Sequence, residues 1–199
     1  TGGASAGEAG ASSRSTISGF LIACPRAGSP RRGRGGYAAA PRPAPGKPAR
    51  PFIVASCGLL GDRKGTYQLL RAWARLALAD AELWLIGHVP ENESRNLREL
   101  ARSNVKFLGF RNDLPGLLRQ AHLHVLLSRN EGLAKVLLEA GASGVPNLCT
   151  QEAGLPADAS GTLFIKDRSS EDEVATAIEN CYRDPAATAR LGLEARQMV

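Results

Sequence analysis

Beyond residue 50 the apolar positions gather in short runs separated by glycine and polar turns. Mostly apolar runs of three to six residues predict short buried strands. They fall at 52–56, 82–86, 105–108, 123–127, 144–149 and 163–165. Between them the apolar spacing lengthens to that of a helix. Residues 66–78 place Tyr67, Leu70, Trp73, Ala74 and Ala77 on one face, and 93–102 read as an exposed, charge-laced helix. Residues 114–121 form a short helix that tolerates Pro115 in its first turn, and residues 171–182 and 186–195 close the chain as helices. Gly132 opens a further helix running to about Gly141. Strands alternating with helices predict a parallel sheet covered on both faces, an α/β doubly wound, Rossmann-like domain. In such sheets ligands bind at the carboxyl ends of the strands. The loops at 58–65, 87–92, 109–113 and 128–132 all fall at that edge.

The first fifty residues lack this pattern. They hold ten Gly and six Pro with no repeat, a composition that cannot bury enough apolar surface to offset its ordering entropy. Residues 1–50 are therefore expected to be a disordered tail or linker, and 51–199 the folded domain. A chain beginning at Thr1 rather than Met is expected to be a fragment. The net charge of +6 points at first to nucleic acid or an anionic membrane, but it is unevenly placed. Residues 1–50 hold eight basic groups against Glu8, whereas 51–199 hold 17 basic against 18 acidic groups. The folded part is nearly neutral, and only the tail, with an RGG-like patch at 31–36, is a candidate for RNA or anionic lipid.

Cys24, Cys57, Cys149 and Cys181 lack metal-ligand spacing, and no apolar run approaches the ~20 residues of a membrane span. A reduced, cytoplasmic setting is expected, with peripheral contact to the membrane face kept open. His88, His122 and His124 form no metal-like group with acidic residues, and His122 and His124 read as structural. Neither Cys57 nor Cys149 has a base beside it, so a thiol nucleophile is not supported.

Residues 58–65 superficially follow a phosphate loop but break its pattern, because Arg63 precedes Lys64 and Gly65 follows it. What survives is a pair of cations in a turn before a helix. Ser128 ends an apolar run, with Glu131 at the next helix mouth and Glu139 eight positions on. Eight residues of helix span about 12 Å. That exceeds the ~5–9.5 Å separating the carboxyls of a glycoside-hydrolysing pair. The spacing suits a long ligand instead, with its charged middle held by helix-opening amides. Glu139, among Leu137, Leu138, Ala140 and Ala142, is expected to lie on a largely buried face.

Taken in order, these residues resemble the C-terminal domain of the GT-B-fold glycosyltransferases of family 4. The resemblance covers about Phe52 to Val199. It rests on Gly58 with Arg63, Lys64 and Gly65, on 85–87, on 105–109, on Ser128 through Glu139, and on 140–146. Glu131 and Glu139 look like that family's E-x₇-E pair. The resemblance implies a retaining, metal-independent transferase with no cofactor beyond a nucleotide-diphosphate sugar donor. It implies that Lys64, with Arg63, contacts the diphosphate. Glu131, beside Ser128 and the backbone of Gly132 and Leu133, would meet the transferred sugar, so Glu131 and Lys64 are the catalytic candidates. Glu139 would accept from the ribose hydroxyls, and Gly109, Phe110 and Arg111 would border the base. It further implies that the N-terminal half, which binds an acceptor (glycan, lipid or small molecule), is missing, so this chain alone is expected to be inactive.

Three departures accompany the resemblance. Leu59 stands where an Arg is usual, and Arg63 is the candidate substitute. Asn147 replaces the aliphatic residue usual after the Gly-Val-Pro turn, and the loop from Gly154 to Gly161 is abbreviated and lacks a usual Glu. Two other readings stand beside the transferase. One is a non-catalytic remnant or interaction module whose basic tail binds RNA or anionic lipid, and the other is a nucleotide-sugar epimerase, which the E-x₇-E spacing disfavours.

Overall fold

The computed structural model describes residues 51–199, together with the backbone of two short strands nearer the start. Those strands, β1 (Ser15–Ile17) and β2 (Phe20–Ile22), pair antiparallel. Thr16, Ile17, Phe20 and Ile22 are the β-branched and aromatic types that favour strands. The rest of the tail reading, and the basic patch at 31–36, lie outside the described residues.

Six parallel strands form the main sheet: β3 (Phe52–Cys57), β4 (Ala81–Ile86), β5 (Val105–Gly109), β6 (Leu123–Leu126), β7 (Asn147–Thr150) and β8 (Thr162–Ile165). Their order is β5-β4-β3-β6-β7-β8. The direction of strand addition therefore reverses between β3 and β6, which leaves a crevice at their carboxyl ends. The sheet is doubly wound, as the apolar pattern predicts.

Helices cover both faces. On one, α1 (Thr66–Arg75) and α5 (Glu171–Arg183) pack over Val54, Leu83, Leu85, Leu123 and Val125, with Trp73 and Ile178 fully in the core. On this side α2 (Glu91–Leu100) buries only Leu97 and leaves Glu91, Arg95, Arg98 and Glu99 exposed. The other face carries α3 (Leu114–Leu118) and α4 (Lys135–Ala142), while α6 (Pro185–Met198) packs against both α4 and α5 and puts Ala187 and Leu191 into the core under α1 and α5. Under α3 and α4, Ala55, Cys57, Leu126 and Cys149 meet Leu118, Leu137 and Ala140.

Several helix bounds differ from expectation. α1 stops at Arg75 because Leu76 turns extended, so Ala77 is not on its face. The helix expected from Gly132 opens three residues later, at Lys135. Residues 131–134 form an irregular segment with a bend at Gly132, running beside a 3₁₀ turn, Gln151–Ala153, with Glu131 N–H bonded to Glu152 O (2.8 Å) and Ala134 N–H to Ala153 O (3.2 Å). Ala134 at the N-cap has no side-chain oxygen to start the helix earlier.

One glycine is required by close approach. Gly87, at φ 138°, lies against Gly58, where any Cβ would collide with the Gly58 carbonyl oxygen. The loops after β3 and β4 thus share one contact.

Both strand histidines serve the fold. His122 Nδ1 accepts from Ile53 N–H (3.1 Å), and His124 is wholly buried, with its Nδ1 2.9 Å from Asn147 Oδ1. Burial, with a smaller push from Lys64, lowers His124 to about 4 against the Asn147 bond. The unfolded chain binds a proton that the folded one refuses, so stability is complete above about pH 6.5 and falls as pH drops towards 4. Urea denaturation of the wild-type chain should lose up to about 3 kcal/mol between pH 7 and 4 through this group. That slope should be missing in His124→Phe, and an equal slope in both proteins would contradict the assignment.

Candidate functional site

The loops after β3 and β6, one on each side of the crevice, are tied together by side chains. Gly65 makes the first loop possible. Its φ of 73° is left-handed, and a Cβ there would strike the Leu127 carbonyl, so the turn seats directly on the end of β6. Lys64 and Arg63 then point at the second loop. Glu131 Oε1 lies 2.7 Å from Lys64 Nζ and 3.3 Å from Arg63 Nη1. Ser128 Oγ donates to the same oxygen at 2.8 Å and reaches the Arg63 carbonyl at 3.3 Å. Arg129 N–H also donates to the Arg63 carbonyl, and Thr150 Oγ1 donates to Ser128 O at 2.6 Å.

Lys64 and Glu131 are mostly shielded, with side-chain exposures of 12% and 14%, whereas Arg63 is open at 60%. Burial by itself would raise the Glu131 carboxyl, but the Lys64 and Ser128 hydrogen bonds and the two cations outweigh it and hold it below the ordinary value. Glu131 is therefore a carboxylate at neutral pH. The arrangement is a cluster of two cations around one carboxylate, with one arm, Arg63, facing solvent.

Glu139 corrects an expectation. It is exposed rather than buried, because Leu137, Ala140 and Gly141 take the inward positions of α4 and leave Glu139 on the outer side. Its charge still acts on the thiol of Cys57, behind burial as the larger cause, which sets the carboxylate near the carboxyl end of β3. Because only part of the Glu131–Glu139 interval is helical, the straight-helix estimate of their separation does not apply.

Gly132 and Leu133 follow Glu131 in the irregular segment before α4, and Leu133 is 47% exposed. Gly109 ends β5 at φ 65°, and Phe110 is 78% exposed beside it. Arg111 folds back onto Asp113 in a two-pronged pair at 2.8 and 2.9 Å. This loop belongs to the strand two places from β3, about 10 Å away at the usual strand spacing. It joins no hydrogen bond of the Lys64–Glu131 cluster among the described residues. Thus Arg63, Lys64, Ser128 and Glu131 converge, while Glu139 and residues 109–111 flank them.

Some participants are not apparent from the sequence. Arg129 Nη2 binds Asp62 Oδ1 at 2.9 Å, and Arg168, after β8, donates to the Asp62 carbonyl at 3.2 Å. From α2, Glu93 Oε2 accepts from Asp62 N–H at 3.1 Å. The first loop is thereby clamped from both sides. Arg168 follows the last strand, so the same carboxyl-edge rule that selects the other loops applies to it. No group of His, Cys, Asp and Glu among the described residues could hold a metal ion. Cys57, Cys149 and Cys181 are free and buried, and burial pushes their thiols up to about 12, 12 and 11.

Three comparisons bear on this geometry. A family model described as glycosyl transferases group 1 matches residues 51–184. The lipopolysaccharide core biosynthesis glycosyltransferase LpsE of Rhizobium meliloti is 32% identical over 152 residues, which is 72% of this chain and 43% of that protein. The GDP-mannose-dependent monoacylated alpha-(1-6)-phosphatidylinositol monomannoside mannosyltransferase of Corynebacterium glutamicum is 29% identical over 160 residues, 74% of this chain and 42% of its own length. Among solved structures, Anabaena HepE in complex with UDP and glucose superposes with a TM-score of 0.66 and 26% identity, over 74% of this chain and 43% of that one. The chain therefore spans less than half the length of these relatives.

Removing one partner of the shielded pair should cost more than removing both. Lys64→Met should destabilise by about 2 kcal/mol, and adding Glu131→Gln should recover part of it. Chemical denaturation of the single and double variants measures this, and strictly additive losses would show that the pair is not coupled.

Proposed function

The chain belongs to the glycosyl transferases group 1 family, and from that premise we propose that residues 51–199 form the donor-binding half of a retaining glycosyltransferase that uses a nucleotide-diphosphate sugar. The observation that carries this reading is the convergence of Arg63, Lys64, Ser128 and Glu131 at the strand-order reversal. Lys64 and the exposed Arg63 take the diphosphate. Glu131 and the backbone of Gly132 and Leu133 meet the sugar, Glu139 accepts from the ribose hydroxyls, and the loop at Gly109, Phe110 and Arg111 borders the base.

The chemistry follows from the charges. As the glycosidic bond breaks, negative charge grows on the departing diphosphate, and cations fixed beforehand stabilise it without reorganising at that moment. Lys64 is already fixed by its bond to Glu131 and by its shielding. No protein nucleophile or metal is assigned a step. The acceptor would come from the other half of such an enzyme. HepE supports the donor class, since its solved complex holds UDP and glucose, while the Corynebacterium relative is named for GDP-mannose. Among the described residues no helix is long and apolar enough to cross a membrane. The alternative of a tail-driven module binding RNA or anionic lipid draws only on residues outside those described.

Calorimetry of the full chain with UDP, GDP and ADP tests the donor reading. One of the three should bind, and Lys64→Met should weaken it about tenfold or more, since a charged partner is lost from the phosphate. Absence of binding by all three at millimolar concentration, in a folded sample, would sink the proposal.

A further inference from the structure

β6 and β7 carry a polar pair inside the sheet that the proposed chemistry leaves unused. His124 and Asn147 stand opposite each other in register, each without exposed surface. Their strand neighbours Leu123, Val125 and Leu148 face the layer under α1 and α5. By alternation His124 and Asn147 face the layer under α4, among Leu126, Leu137 and Cys149.

The bonds of this pair run in one direction. Asn147 Nδ2 donates to the Leu137 carbonyl of α4 at 3.0 Å. With its amide nitrogen so engaged, Asn147 presents Oδ1 to the ring, and His124 Nδ1 must carry the proton across the 2.9 Å contact. The Leu137 carbonyl thereby fixes which way the asparagine amide points, since a flipped amide would set oxygen against oxygen there, and the histidine tautomer follows. His124 Nε2 is left as a bare, buried acceptor without a partner among the described residues. A buried acceptor left unmade costs free energy, and two apolar side chains would fill this layer without that cost.

The tie matters because near its start α4 is otherwise held to the neighbouring chain by the Ala134 N–H bond to Ala153 O (3.2 Å). The helix is eight residues long, has no side-chain cap at Ala134, and contains Gly141. The bonds from Ser143, Gly144 and Val145 onto α4 carbonyls gather at its far end. Leu137 lies in the first turn, two residues before Glu139.

We propose that His124 and Asn147 are positioning residues: a buried strut that sets α4 against the sheet and so holds Glu139 and the helix mouth at the carboxyl edge for a nucleoside diphosphate. The inference rests on the donor-site reading of Glu139. The pair itself touches no ligand.

The test is a double-mutant cycle on the full chain, reading the dissociation constant of whichever of UDP, GDP or ADP binds wild type. Asn147→Val should weaken binding by the folded protein about tenfold, because small displacements of a ligating group are costly. Glu139→Ala should weaken wild type but add little to Asn147→Val, since the strut acts through that carboxylate. His124→Phe/Asn147→Val fills the layer with apolar atoms, and should fold at least as stably as Asn147→Val yet bind no better. A merely structural pair would lower stability while leaving affinity unchanged, or would give additive losses, and either result overturns the strut. A double variant that binds like wild type also overturns it. In unaltered protein, saturation with the nucleotide should shift the NMR resonances of the Asn147 side-chain amide, and unmoved resonances count against the strut even if the variants fail to fold. If no nucleotide binds wild type, or Glu139→Ala has no effect there, the donor reading fails and takes the strut with it.

Discussion

β3 and β6 run side by side while the chain leaves them in opposite directions, and the carboxyl edge is built around that reversal. No crossover connection covers the gap between their ends, so backbone and side-chain polar groups from two loops face each other there. A gap lined with unbalanced cations would be costly to hold closed. Glu131 balances it, accepting from Lys64 and Ser128 on a single oxygen and so tying one loop to the other. Gly65 seats the first loop on Leu127, and Thr150 braces the second through Ser128. The crevice is thus a product of topology, and its shape a product of one carboxylate.

Much of the fold can be read from the chain because strands buried on both faces leave a plain apolar signature. The runs around Val54, Leu83 and Val125 could hardly be anything else once helical segments were seen to alternate with them. The edge rule then located the loops carrying Arg63, Lys64, Ser128 and Glu131 without any tertiary information. Less legible were features set by packing between distant segments. The start of α4 is decided by bonds from Glu131 and Ala134 to residues 152 and 153, which no local spacing records. The exposure of Glu139 is decided by which side of α4 meets the sheet, and its apolar neighbours in sequence pointed the other way. Asn147 showed as an oddity after the Gly-Val-Pro turn, but its partner His124 lies 23 positions earlier, and only strand register brings the two together.

The charge pattern shows a similar division. The folded part is nearly neutral over its length, yet its acids and bases are not evenly mixed. Arg63, Lys64, Arg129 and Arg168 meet at one edge, with Asp62 and Glu131 set among them. Arg168 is partly shielded, and burial and the nearby Arg129 lower its hold on its proton while Asp62 and Glu152 counter them. These contacts fix the backbone of the first loop from outside the crevice, so that Lys64 need not be ordered when a ligand arrives.

Glu131 also has a consequence for traffic at the edge. To any anion approaching Lys64 it is a tethered competitor, always present at a local concentration far above that of small ions in solution. Free phosphate or sulfate, which offers only charge, has to displace a carboxylate already desolvated and hydrogen-bonded in place. A larger molecule that also spans the loops after β5 and β6 brings further contacts to the exchange. Under the donor reading proposed above, the internal carboxylate would work as a filter, passing over bare ions in favour of molecules long enough to reach across the sheet.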